Sequence, residues 1–190
     1  MSHAVHTTRA LVLGSAEVQD ADKLFWLLTE DLGLLFASAR GVRKEASKLR
    51  YSLADLAQTR VSLVRGKGLW RVTGAETYEG EEVPKEYRET FGRVATLVRR
   101  VMPTDEENPT LFKIITNTRG EFLKGVTDAE TVERVSVARV LYQLGYISCV
   151  DAYKGLIDTE DFTADVLEKG AKLGQELIND INNGLNESHL

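Results

Sequence analysis

The sequence predicts an α+β protein in which a small five-stranded barrel precedes an all-helical region. Three observations predict it. Short apolar runs of strand length crowd residues 8–76, apolar residues recur at helical spacing from Phe91 onward, and strands and helices do not alternate. The last point argues against a parallel βαβ sheet, and so against dinucleotide-binding and phosphate-loop enzymes.

The expected strands are Thr8–Gly14, Asp22–Thr29, Leu34–Arg40, Gln58–Val64 and Leu69–Glu76. The last two flank Arg65-Gly66-Lys67-Gly68 and read as a hairpin whose glycines supply positive φ. Five strands in so short a stretch suit a barrel of the OB type. Trp26 shares parity with Leu24 and Leu28 and is expected in the core. Trp70 is also expected to point inward, which leaves Arg71 and Leu69 on the opposite face.

The acidic segment Glu79–Pro84 reads as a junction, dividing residues 1–80, a barrel domain of the OB type, from residues 81–190, a helical domain. Phe91, Val94, Ala95, Val98, Val101 and Met102 predict a first helix, and Asn108-Pro109 opens a second with proline in its first turn. Thr127-x-x-Glu130 predicts a capping box for a third, which buries Val132, Val135, Val137, Val140, Leu141 and Leu144 and stops at Gly145. A fourth is expected from Thr163 to Asn182, burying Val166, Leu173, Leu177, Ile178 and Ile181, with the tail after Gly184 frayed.

At 190 residues, 43% hydrophobic and 28% charged, the composition is that of an ordinary globular protein. No run has the length of a membrane span and Met1–Thr8 lacks the apolar core of a secretory signal, so a cytoplasmic protein is expected. Cys149 is the single cysteine, so neither an intrachain disulfide nor a thiolate metal cluster can form; it is expected as a buried small side chain. A cysteine nucleophile or a serine triad needs a base, and His3, His6 and His189 all lie near the termini, where order is poor. Glu79, Glu81, Glu82, Asp105, Glu106 and Glu107 have no histidine beside them and read as solvated surface. No enzyme, no cofactor and no structural zinc are expected.

The net charge is −5, but it is divided unevenly. Met1–Ala75 has 11 Lys and Arg against 7 Asp and Glu, whereas Glu76–Leu190 has 13 against 22. Within Phe36–Arg71 nine cations face only Glu45 and Asp55. An asymmetry of this kind points to an anionic partner for the first part alone. Its centre is Arg40-Gly41-Val42-Arg43-Lys44-Glu45-Ala46-Ser47-Lys48-Leu49-Arg50-Tyr51, where cations can neutralise phosphates and Tyr51 can stack on an unpaired base. With Lys67 and Arg71 on the neighbouring hairpin, Arg40, Arg43, Lys44, Lys48, Arg50 and Tyr51 form the expected DNA-binding set; barrel closure would unite them. The glycines around Lys67 lead into a strand instead of a helix, so they are not a phosphate loop.

Four ordered motifs carry a resemblance. Thr8-Arg9-Ala10-Leu11-Val12-Leu13, Asp20-Ala21-Asp22-Lys23-Leu24, Leu28-Thr29-Glu30-Asp31-Leu32-Gly33 and Ala39-Arg40-Gly41-Val42-Arg43-Lys44 with Ser47 closely resemble the opening of the RecO family, with its acidic step, "T-x-x-x-G" turn and basic loop. More loosely, Arg139-Val140-Leu141-Tyr142-Gln143-Leu144-Gly145-Tyr146 resembles that family's "L-L-x-x-L-G-Y" helix end. Many members continue into a four-cysteine zinc site, where this chain has Cys149 alone, so it is identified as a divergent or reduced member without the zinc module. The resemblance implies a nucleoid-associated recombination mediator that binds single- and double-stranded DNA, promotes annealing, and works with RecR to help RecA displace single-strand binding protein. The competing expectation is an adaptor whose acidic helical part contacts proteins and whose DNA affinity is negligible.

Overall fold

The computed structural model describes residues 4–18, 21–77 and 82–187. Asp20, Glu79, Glu81, His3, His189 and the expected 80/81 boundary lie outside them. Chain contacts divide into two compact units: residues 1–82 with Pro103–Pro109, and Val83–Met102 with Thr110–Leu190.

The first unit is a closed barrel of β1 (Val5–Glu17), β2 (Lys23–Thr29), β3 (Gly33–Ala39), β4 (Gln58–Arg65) and β5 (Trp70–Thr77), in the order β1-β2-β3-β5-β4. Long β1 closes it. Its first half pairs antiparallel with β4 and its second half with β2, and a register shift between Val12 and Gly14 lets one strand serve both. Only β3 and β5 run parallel, through Ala37 opposite Trp70 and Ser38 opposite Arg71. Inside lie Ala10, Val12, Phe25, Leu27, Leu35, Ala37, Val61, Leu63, Trp70 and Val72.

The inward residues of β2 are thus Phe25 and Leu27, and Trp26 points outward, half-buried, its ring 5.2 Å from Phe36 in an edge arrangement. The expectation for Trp26 fails because Lys23–Thr29 is apolar on both faces, and alternation then cannot fix which parity faces the core. Trp70 does point inward and Arg71 is exposed.

The turn between β2 and β3 explains its motif. Thr29 Oγ1 donates to the Gly33 carbonyl (2.7 Å) and accepts from the Leu32 amide (3.1 Å). Gly33 has φ +71°, and a Cβ there would lie 1.8 Å from the Glu106 carbonyl oxygen, so position 33 admits only hydrogen. At the other hairpin the structure corrects the reason for glycine: neither Gly66 nor Gly68 has positive φ. Gly66 instead sits under the Leu69 carbonyl, where a Cβ would approach to 2.6 Å.

The second unit contains α2 (Arg88–Val101), α3 (Pro109–Lys124), α4 (Ala129–Gln143), α5 (Ala164–Lys172) and α6 (Gly174–Glu187); a single short helix, α1 (Leu49–Ser52), belongs to the barrel unit. Phe91, Val94, Ala95, Val98 and Val101 form the buried stripe of α2. Helix α4 is central, touching α2, α5 and α6 and burying Val132, Val135, Ala138, Val140 and Leu141, while Val137 and Leu144 are only half-buried. Its cap is Asp128, which accepts from the Thr131 amide at 2.9 Å, so the expected Thr127/Glu130 box is displaced by one residue. It ends as expected at Gly145, with Tyr146 N–H bonded to the Leu141 carbonyl and Gly145 N–H to the Tyr142 carbonyl. The expected fourth helix is two, broken at Leu173 before Gly174.

Candidate nucleic-acid interface

The basic loop is a braced structure. After β3, Gly41 N–H donates to Asp22 Oδ1 at 2.7 Å and the Arg43 amide donates to the Ala21 carbonyl at 3.0 Å, tying the loop to the acidic step before β2. Val42 and, beyond α1, Leu53 insert into the barrel core, with Leu49 packed against it. The apolar members anchor the segment, and the polar members between them have nowhere to go but outward: Arg40, Arg43, Lys44, Lys48, Arg50 and Tyr51 are exposed, Tyr51 at 76%.

Most of these cations lack an ion pair, as Arg60, Lys85 and Arg100 also do among the described residues, whereas several other cations of the chain are paired. Arg9 is paired with Glu30, whose carboxyl it holds below the usual range; Arg93 with Glu133, Lys113 with Glu160 and Lys172 with Glu168 are likewise paired. In the expected DNA-binding set only Arg43 has an ion pair, with Glu17 at 3.3 Å. Arg40, Lys44, Lys48, Arg50, Lys67 and Arg71 have no ion-pair partner among the described residues.

Two concavities share the residues out. Arg43 and Arg50 line one of about 330 Å³ at the barrel end, with Lys23 and Glu17 at its rim and Phe25, Val42 and Leu53 as its floor. Lys67 lines a second, also about 330 Å³, with Leu24, Phe36, Arg65, Leu69 and Asp105. Arg71 stands opposite Ser38 on the outer surface, two residues along the chain from Arg40. The set is therefore not gathered into one pocket.

Sequence reasoning missed Asp105. It is exposed, as a solvated linker acid should be, but it also holds φ +60° and accepts from Trp70 Nε1 at 3.0 Å and from Arg65 at 3.1 Å, with the Arg65 guanidinium 5.0 Å over the Trp70 ring. A buried tryptophan needs an acceptor for its N–H, which was the one available signal that an outside residue must reach the barrel. His6 lies within β1, its ring centroid 5.4 Å from that of Trp70 in an edge arrangement, contrary to the expectation for a terminal histidine. Glu82, Glu106 and Glu107 are exposed. Cys149 is half-buried instead of buried. Among the described residues no three His, Cys, Asp or Glu side chains are grouped to hold a metal ion, and no helix is long and apolar enough to cross a membrane.

The family model described as Recombination protein O N terminal matches residues 1–80, the barrel and its basic loop. The chain is 30% identical over 162 residues to the DNA repair protein RecO of Dehalococcoides mccartyi (strain ATCC BAA-2266 / KCTC 15142 / 195), covering 82% of this chain and 64% of that protein. It is 34% identical over 148 residues to the DNA repair protein RecO of Heliobacterium modesticaldum, covering 75% and 52%, and 31% identical over 140 residues to that of Pelotomaculum thermopropionicum, covering 72% and 54%. The chain thus spans between 52% and 64% of the length of these three relatives. A barrel with this strand order, the four motifs of its opening, the family match over residues 1–80 and relatives that continue into the helical unit lead to one conclusion: the chain belongs to the RecO family of DNA repair proteins.

Proposed function

We propose that the chain acts as a recombination mediator, holding single- and double-stranded DNA on the outer face of its barrel through Arg40, Arg43, Lys44, Lys48, Arg50, Lys67 and Arg71, with Tyr51 beside them. The observation that carries this reading is the set of six cations without an ion-pair partner among the described residues, on a segment braced by its own apolar anchors. Unpaired, exposed cations are already desolvated as little as possible and exchange condensed counterions of DNA for contacts with phosphate. Nothing in this role makes or breaks a covalent bond. Holding two strands on one cationic surface lowers their mutual repulsion and favours annealing; the reading extends to loading RecA on strands coated with single-strand binding protein, with RecR as a partner, in the cytoplasm at the nucleoid.

The test is a titration of a fluorescent single strand with the full chain at two salt concentrations. A phosphate grip of about six contacts should lose roughly three hundredfold in affinity for a single strand between about 50 and 200 mM salt. Absent or salt-independent binding would transfer support to the adaptor reading, in which the acidic helical unit contacts proteins.

A further inference from the structure

We propose that the concavity between β2, β3 and the β4–β5 turn receives an unpaired base, making it the place where the protein tells a single strand from a duplex; this rests on the reading of the barrel as a DNA-binding face. The phosphate-gripping cations cannot make that distinction, because both kinds of strand present the same backbone. The concavity has the chemistry to do so. Phe36 and Leu69 are large apolar side chains left 38% and 42% exposed, and with Leu24 they line a space of about 330 Å³. The Phe36 ring offers a flat apolar face to the flat face of a base, and the leucines fill the space around it.

Charge complementarity identifies the guest's attachment. Lys67 sits on the rim of the same concavity without an ion-pair partner among the described residues, and Gly66 and Gly68 on either side of it keep the rim free of side chains, so a backbone phosphate can come close while its base enters. The second rim cation, Arg65, is held by Asp105 and lies over Trp70, so the wall it forms is fixed before anything binds. In a duplex both faces of a base are covered by its neighbours and its edge is paired, so it cannot enter. In a single strand it can.

Both tryptophans of the chain adjoin this site: Trp70 lines it and Trp26 packs edge-on against Phe36. Intrinsic fluorescence therefore reports on it directly. The experiment titrates the full chain with three probes: an oligothymidylate, an abasic oligonucleotide of the same length, and a duplex. Oligothymidylate should quench the tryptophans and bind roughly tenfold more tightly than the abasic strand, the size of one base–aromatic stack. Phe36→Ala should remove that advantage and leave abasic-strand and duplex affinity unchanged, whereas Phe36→Tyr, which keeps the ring, should retain it. An unchanged melting temperature for Phe36→Ala separates loss of the stack from loss of the fold. Equal affinity for abasic and thymidylate strands, or a Phe36→Ala variant that keeps the tenfold advantage, overturns the base site while leaving the phosphate grip intact. If no probe binds, the DNA-binding face and the base site fall together.

Discussion

Replacing Arg43, Lys44 and Lys48 together by alanine should weaken single-strand and duplex binding alike, by roughly tenfold to a hundredfold at low salt, and should lower the salt slope by about two on single strands and nearer three on duplex. The slope is the sharper readout, because it counts released counterions and each lost phosphate contact removes a fixed increment. Stability should hardly move. Lys44 and Lys48 are exposed and unpaired among the described residues, and exposed substitutions of that kind usually stay within about 0.5 kcal/mol. Arg43 also loses its exposed pair with Glu17, worth less than about 1 kcal/mol. The loop should keep its shape, since Val42, Leu53 and the Asp22 carboxylate hold it and none of these is touched. Equal affinity and slope in parent and variant would reduce the loop to solvated surface.

The largest loss of stability should follow Arg139→Ala. Arg139 lies on α4, is fully buried, and spends its guanidinium on three backbone carbonyls: Leu156 at 2.9 Å, Glu160 at 3.1 Å and Asp161 at 2.8 Å, with Phe162 stacked 4.4 Å away. It is the post to which residues 156–162, the approach to α5, are fastened. Burial lowers its pKa to about 10, with Asp161 and Asp158 opposing that shift. The sign follows: because the folded value lies below the unfolded one, folding works against the cation, a cost that is constant below about pH 10 and is relieved only as the folded group deprotonates above it, so at neutral pH Arg139 is charged and its contribution is flat with pH. Removing it takes the guanidinium from the Leu156 and Asp161 carbonyls, while Glu160 keeps its bond from Asn117 Nδ2 at 3.1 Å, at a cost of about 3–5 kcal/mol. The chain should melt roughly 6–20 °C lower, and hydrogen exchange should quicken first around residues 156–162. Arg139→Lys should recover little, because one ammonium cannot reach three carbonyls in a plane. A melting temperature within a degree or two of the parent would show that the segment is held by other means.

Much of the architecture was legible because each signal had a local cause. Gly33 is demanded by the backbone of its own turn, Pro109 by the first turn of α3, and Gly145 by the end of α4, so the strand and helix boundaries near them followed from sequence. The cationic stretch was legible as composition. Where pairing across space decides, sequence was silent: nothing local marks Trp26 as outward and Phe25 as inward when the whole strand is apolar, and nothing joins Asp105 to Trp70 and Arg65 across 35 and 40 residues. The same holds for charge. A run of Arg and Lys does not say which members are already matched, and it is the contrast between Arg43, paired with Glu17, and its six unmatched neighbours that gives the barrel face its character. The capping residue of α4 was missed for a smaller reason: Thr127 and Asp128 are both good caps, and only the dihedral angles chose Asp128.

The claim that DNA lies on the barrel's cationic face is tested most directly by lysine labelling, read residue by residue in the full chain with and without a saturating single strand. Lys44, Lys48 and Lys67 should lose reactivity on binding, while Lys124, Lys154 and Lys172 of the helical unit, exposed but paired with Glu121, Asp151 and Glu168, should keep theirs. Protection confined to the helical lysines, or none at Lys44, Lys48 and Lys67 although the strand is bound, would contradict it.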